Sequence, residues 1–260
     1  MAERIAVVTN ATEYAGLPSA LALAHAEFTV ICHGRGFDEE SARRAFTTAH
    51  RELGASAEHD PAALIRTVTQ EHGKVDVLVS NDCCPARFVP IENASLDEYR
   101  ATLEALLVTP FALVKAVAPQ MKQRRSGRII LITSAGPISP YAELSMYISG
   151  RGGASSLAVA LSKELGPFNI TVNAVAPNFL QSEIYYPSEI WETNPTHRGY
   201  LEGHVPLGRL GRPEEIGELV AFLASGKCDF VNGQVIPFTG GWPGMPPWPG
   251  SQLARKSDMR

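Results

Sequence analysis

Ser134, Tyr147 and Arg151 are spaced as Ser-x12-Tyr-x3-Arg. Residues four apart on a helix share a face, so a helix through 147 and 151 brings a phenol and a guanidinium together. A fixed cation beside a phenol favours the phenolate, so Arg151 would let Tyr147 act as a general base. Ser134 closes an apolar run, and its hydroxyl would hold a substrate oxygen in line, a positioning task that needs no activated serine. No G-x-S-x-G elbow surrounds it and no histidine is set near it by sequence, so it does not read as a hydrolase nucleophile.

These residues need a scaffold, and the chain supplies one by alternation. Short apolar runs at 5–9, 29–33, 75–81, 128–134, 170–176 and 234–238, with a weak one near Ser56, read as strands. Helical patterns fall at 18–26, 39–53, 61–72, 96–122, 144–165 and 213–224. Asp60-Pro61 makes an N-cap and first-turn pair, and Gly73 ends that helix. The expected fold is α/β, a doubly wound parallel sheet of about seven strands covered by helices on both faces. One catalytic domain would span 1–241. Residues 179–209, rich in Tyr, Pro and Glu, are long for a connection and would form a lid. The tail 242–260, with its Trp-Pro-Gly repeats, cannot continue a helix or a central strand and should lie on a surface.

The 260 residues are 45% hydrophobic and 19% charged, enough to bury a full core in one domain. The 27 acidic and 23 basic residues are scattered, and without a basic block carrying aromatics nucleic acid is not an expected partner. Cys32, Cys83, Cys84 and Cys228 form neither a disulfide framework nor a zinc spacing, and the seven histidines are spread over helix ends and loops, so no metal is expected. The first strand begins almost at once, without a leader pattern, and no unbroken apolar segment reaches about 18 residues. The expectation is a soluble cytoplasmic protein with no membrane association.

Asp76-Val-Leu-Val-Ser-Asn81, Ser134-x12-Tyr147, Asn173-Ala-Val-Ala-Pro177 and Gly233-Gln-Val with Gly240-Gly241 together resemble the short-chain dehydrogenase/reductase superfamily over nearly the whole chain. That likeness makes the expected sheet Rossmann-like. The superfamily places Thr-Gly-x3-Gly-x-Gly after the first strand, where the glycines let the backbone approach a pyrophosphate. Here the run is Thr9-Asn10-Ala-Thr-Glu-Tyr14-Ala-Gly16, so a phenol stands in the space of the phosphates. Further departures are Arg151 for the superfamily's lysine, Leu106 for its helical asparagine, Asn178 for the glycine after Pro177, and Asn81-Asp82-Cys83 for Asn-Ala-Gly.

Tyr14 with Gly16, joined to Ser134, Tyr147 and Arg151, is similar to the double motif of the halohydrin dehalogenases, the cofactor-independent branch of that superfamily. The resemblance implies a carbon–halide lyase that interconverts vicinal haloalcohols with epoxides, halide and a proton, and that opens epoxides with azide, cyanide or nitrite. It implies no NAD or NADP, a small-molecule substrate and a homotetramer. The expected halide site is Tyr14, Pro177, Asn178, Phe179, Leu180 and Tyr186, combining backbone N–H groups, aromatic edges and a side-chain amide. Phe88 and Tyr141 are expected in the substrate pocket, since they follow strands at the carboxyl edge of the sheet. Trp248 resembles a tail tryptophan that in some members reaches a neighbouring subunit's site. Asp82 is expected behind Arg151, on a proton exit route. Two other readings stay open: an NADP-dependent reductase, with Arg35 on a 2′-phosphate, and a binding protein without catalysis on the same fold.

Overall fold

The computed structural model describes residues 3–244. Trp248 and most of the 242–260 tail lie outside the described residues. Seven strands form one parallel sheet: β1 (Ile5–Val8), β2 (Thr29–His33), β3 (Leu53–Ser56), β4 (Val77–Ser80), β5 (Gly127–Ile132), β6 (Ile170–Pro177) and β7 (Val235–Phe238). Their spatial order is β3-β2-β1-β4-β5-β6-β7, so the chain reverses its direction of winding between β1 and β4. That is the switch point at which sheets of this kind bind ligands, beyond the carboxyl ends of the strands. β1, β4 and β6 are buried from end to end, as expected for strands covered on both faces.

Helices α1 (Gly16–His25) and α9 (Pro213–Ala224) cover one face together with α2 (Glu40–Ala49). On the other lie α3 (Pro61–His72), α4 (Leu96–Leu103), α5 (Thr109–Arg124) and α6 (Ser145–Leu165). Helix α3 begins and ends where its local chemistry dictates: the Asp60 side chain accepts from the Ala63 N–H, and Gly73 takes a left-handed φ of 79°. α4 and α5 run on as one helix, Leu96–Arg124, through a wider π turn at Glu104–Val108. Leu106 is buried in that turn, close against Gly150 of α6. By length and composition, an 18-residue stretch of this 29-residue helix is apolar enough to cross a membrane. Leu113, Val114, Val117 and Met121 pack one side of the helix against the core, while Val108 and Phe111 stay exposed.

Two differences from the sequence reading concern boundaries. The second helix stops at Ala49 rather than Leu53, because Leu53 opens the edge strand β3, paired with Val30. The 179–209 segment carries two short helices, α7 (Ser188–Trp191) and α8 (Pro195–His204). It folds over the carboxyl edge through a third apolar cluster containing Phe179, Leu201, Val205, Leu210 and Trp242. Trp242, assigned by sequence to the surface tail, is therefore a packing residue of the domain, because Tyr141 and Phe179 leave it an apolar niche between strand end and lid.

Candidate active site

The first βα turn sets the floor of the site. Asn10 and Tyr14 stand at the two glycine positions of the superfamily motif, and both keep a left-handed backbone, with φ of 46° and 50°. Such a conformation costs an L-residue about 1 kcal/mol, so the loop must be held by its surroundings. The end of β4 holds it: the Asn81 amide donates to the carbonyls of Asn10 and Glu13 at 3.0 and 2.9 Å, and Asn10 donates back to the Asn81 carbonyl. Gly16 is required for close approach, since a Cβ there would meet the Asn10 carbonyl oxygen at 2.5 Å. The Tyr14 ring points inward. Its edge meets Tyr185 at 4.9 Å between centroids, and the Arg151 guanidinium lies 5.8 Å from its centre.

Helix α6 presents Tyr147 and Arg151 on one face, as the spacing predicts. The guanidinium is fully buried. Its Nη1 donates to the carbonyls of Asp82 (2.8 Å) and Ile132 (3.0 Å), and its Nη2 to the Tyr185 hydroxyl (3.2 Å). The guanidinium carbon lies 5.1 Å from the Tyr147 ring centre. Burial would push the Arg151 cation down, but Tyr147, Tyr185 and Tyr14 around it hold its pKa well above the ordinary value. Burial, reinforced by Tyr147, keeps the Tyr14 phenol well above the usual range against the pull of Arg151. Ser134, just past β5, accepts the Gly136 N–H at 3.0 Å, which leaves its hydroxyl proton free to point elsewhere.

A cavity of about 410 Å³ joins these groups, lined by Tyr14, Phe88, Ser134, Tyr141, Tyr147, Pro177, Asn178, Phe179 and Tyr186 among others. Nearly every expected pocket residue within the described chain is thus brought together. Leu180 is the exception. Its side chain is buried in the core against the sheet and does not line the cavity, because Phe179, at a left-handed φ of 55°, turns the chain so that neighbours point apart. The backbone contribution also differs from expectation. The Asn178 N–H donates to the Phe238 carbonyl and the Phe179 N–H to the Asn178 side-chain oxygen, both at 3.0 Å. What stays open is the side-chain amide: the Tyr186 hydroxyl also donates to Asn178 Oδ1, at 2.7 Å, and the buried Nδ2 has no partner. Two donors on Oδ1 fix the orientation of the amide and keep its N–H groups available.

Sequence reasoning missed Tyr185, Ile184, Trp191 and Tyr200, which also wall the cavity. The adjacent pair Tyr185-Tyr186 carries the signal for the first of these, since both phenols leave one turn. Asp82 sits behind Arg151 as expected, although its main-chain carbonyl, not its carboxylate, receives the guanidinium. The carboxylate accepts the Ser80 hydroxyl, leaves Oδ1 without a partner, and borders a second, smaller cavity with His33, Arg35 and His59. Burial pushes the Asp82 carboxyl up to about 6, against the opposing pull of Ser80 and Arg151. Arg35 is exposed and faces Glu13 at 3.6 Å. The four cysteines are free thiols, and Cys83 donates to Glu13. Among the described residues no cluster of three or more His, Cys, Asp or Glu could hold a metal ion.

The enoyl-(acyl carrier protein) reductase family model matches residues 16–243. The human protein named dehydrogenase/reductase SDR family member 4 is 27% identical over 251 residues, 94% of this chain and 88% of its own. The 3-oxoacyl-(acyl-carrier-protein) reductase FabG of Pseudomonas aeruginosa is 30% identical, covering 92% of this chain and 96% of its own. Among solved structures, a halohydrin dehalogenase, HheC, bound to ethyl (2S)-oxiran-2-ylacetate is 48% identical, covers 95% of this chain and 100% of its own, and superposes with a TM-score of 0.92. The chain belongs to the halohydrin dehalogenase family. A second solved structure, titled a dehalogenation enzyme, is 35% identical over 92% of this chain and 98% of its own, with a TM-score of 0.89. Halohydrin dehalogenases thus share its sheet, and the reductases share the superfamily frame at lower identity. The protein is an enzyme of halohydrin dehalogenase type, a lyase.

Proposed function

We propose that this enzyme closes vicinal haloalcohols to epoxides, releasing halide and a proton, and runs the reverse opening, without a nucleotide. The observation that carries this reading is the buried, unpartnered amide nitrogen of Asn178, a residue that lines the same cavity as Ser134 and Tyr147. Halide release needs replacement of a hydration shell by oriented donors and positive ring edges, without a countercharge that would trap the product. Asn178 Nδ2 with Tyr14, Phe179, Tyr186 and Pro177 offers that combination. Ser134 donates to the substrate oxygen and aligns it. Tyr147 removes the hydroxyl proton while the oxygen attacks the neighbouring carbon, and the carbon–halogen bond breaks with its electron pair leaving on the halide. Phe88 and Tyr141 bound the organic part of the substrate. Asp82, which borders the second cavity, passes the proton towards solvent.

By microscopic reversibility, a small anion in the halide position attacks the epoxide carbon as Tyr147 returns the proton, so azide, cyanide and nitrite are expected to open epoxides. Assembly as a homotetramer is part of the same reading. Val108 and Phe111 on the Leu96–Arg124 helix and Val159 on α6 are exposed apolar residues on the two long helices, and a second copy packed there would bury them, which supports it. The deciding measurement is halide release from a propanol carrying halogens on both carbons beside the hydroxyl, with purified enzyme and no nucleotide added. Release that requires NADPH would replace this reading with a reductase.

A further inference from the structure

Tyr185 has a different surrounding from its neighbour. The turn closed by the Ser182 and Tyr186 backbone pair sends Tyr186 to Asn178 and Tyr185 to the guanidinium. The Tyr185 hydroxyl donates to the Cys84 carbonyl at 2.8 Å, accepts from Arg151 Nη2 at 3.2 Å, and receives the Cys84 N–H at 3.4 Å. Its ring stands edge-on to Tyr14 at 4.9 Å and to Tyr147 at 6.0 Å. Arg151 Nη1 is held by two core carbonyls, and Nε has no partner. Tyr185 is therefore the contact through which the lid reaches the charged group. Burial keeps this hydroxyl a neutral phenol despite the nearby cation, so it serves as a fixed dipole and not as a second base.

We propose that Tyr185 is a positioning residue, a bolt that fastens the 182–186 turn to Arg151 and the Cys84 backbone and so aims the guanidinium at Tyr147. The inference rests on the lyase reading for its kinetic half and on geometry alone for its structural half. A hydrogen bond to a charged group, once lost, changes a rate by about tenfold or more. Tyr185→Phe keeps the ring and removes only the bolt.

The experiment combines steady-state kinetics on the dihalopropanol with hydrogen–deuterium exchange of the full-length enzyme. In Tyr185→Phe, kcat should fall about tenfold with KM changed by less than about twofold, and amides of 181–186 should exchange faster while those of β5 and α6 keep their wild-type rates. Tyr185→Leu, which also removes the cavity wall, should raise KM as well. A wild-type kcat in Tyr185→Phe, or a raised KM with kcat intact, overturns the positioning role. Unchanged exchange of 181–186 overturns the bolt. Exchange is read whether or not the enzyme turns over, so a wild type that releases no halide sinks the lyase reading while the bolt is still judged.

Discussion

The Tyr186 hydroxyl donates to Asn178 Oδ1 at 2.7 Å, and this bond fixes the orientation of an amide whose residue lines the cavity. An amide held this way offers N–H donors to an anion. Asn178→Asp would keep both donors on one oxygen and turn the second oxygen towards the halide position. Halide affinity, followed by quenching of tryptophan fluorescence on bromide titration, should fall at least about tenfold, the scale of a charged hydrogen bond replaced by repulsion. Unaltered bromide affinity would move the halide site elsewhere in the cavity.

Tyr147→Phe removes the oxygen proposed to take the substrate proton and should abolish halide release, a loss of at least about a hundredfold for general-base removal, with the thermal midpoint little changed. Arg151→Lys should lose most activity too. A lysine amine cannot reproduce a planar fork that spans the Asp82 and Ile132 carbonyls and Tyr185. Near-native turnover in either variant contradicts the mechanism.

Calorimetric titration with NAD or NADP should give no productive binding at micromolar concentrations. The Tyr14 ring lies against Tyr185, under the Arg151 guanidinium, at the helix terminus where a pyrophosphate would need bare backbone. Micromolar affinity for either nucleotide would count decisively against this placement.

Asp82 gives stability a pH dependence of known sign. Its folded pKa, about 6, lies above the ordinary value of 3.8. The folded state therefore binds this proton more tightly than the unfolded chain. That stabilisation is complete below the ordinary value and is lost as pH rises through about 6, leaving a buried carboxylate at neutral pH. Asp82→Asn removes the titration. Its stability relative to wild type should climb between about pH 4 and 7 by up to about 3 kcal/mol and then level off. Urea denaturation across that range measures it, and a constant difference would exclude the buried carboxyl as the cause.

Much of the sheet and the triad were readable because they obey local rules. Period-two and continuous apolar runs locate strands, and Ser134, Tyr147 and Arg151 meet because a strand end and one helical turn leave them little freedom. What escaped depends on partners distant in sequence. Leu53 belongs to a strand only because β2 offers an edge for it, and nothing within 39–53 signals that. The helix at Pro195 was legible in principle, since Asn194 caps it by accepting the Thr196 N–H, but an aromatic-rich loop masked the cap. Adjacency in sequence places Leu180 beside Phe179 in the pocket, whereas the positive φ at Phe179 separates the two side chains. Tyr186 lines the cavity as its sequence predicts, and Tyr185 joins it there: successive residues of a tight turn reach opposite ends of one site, and sequence distance does not measure that.

The left-handed backbone at Asn10 and Tyr14 bears on what a loss of cofactor would mean physically. The turn keeps the dihedral angles that glycine would allow, braced by Asn81. On the proposed reading, a turn closed to phosphate would therefore differ from an open one by side-chain volume, with dihedral angles that glycine also allows. Occupancy, not refolding, separates the two chemistries. Emptying the corner with glycine at 10 and 14 would demand no new fold, only a cavity that something else must fill.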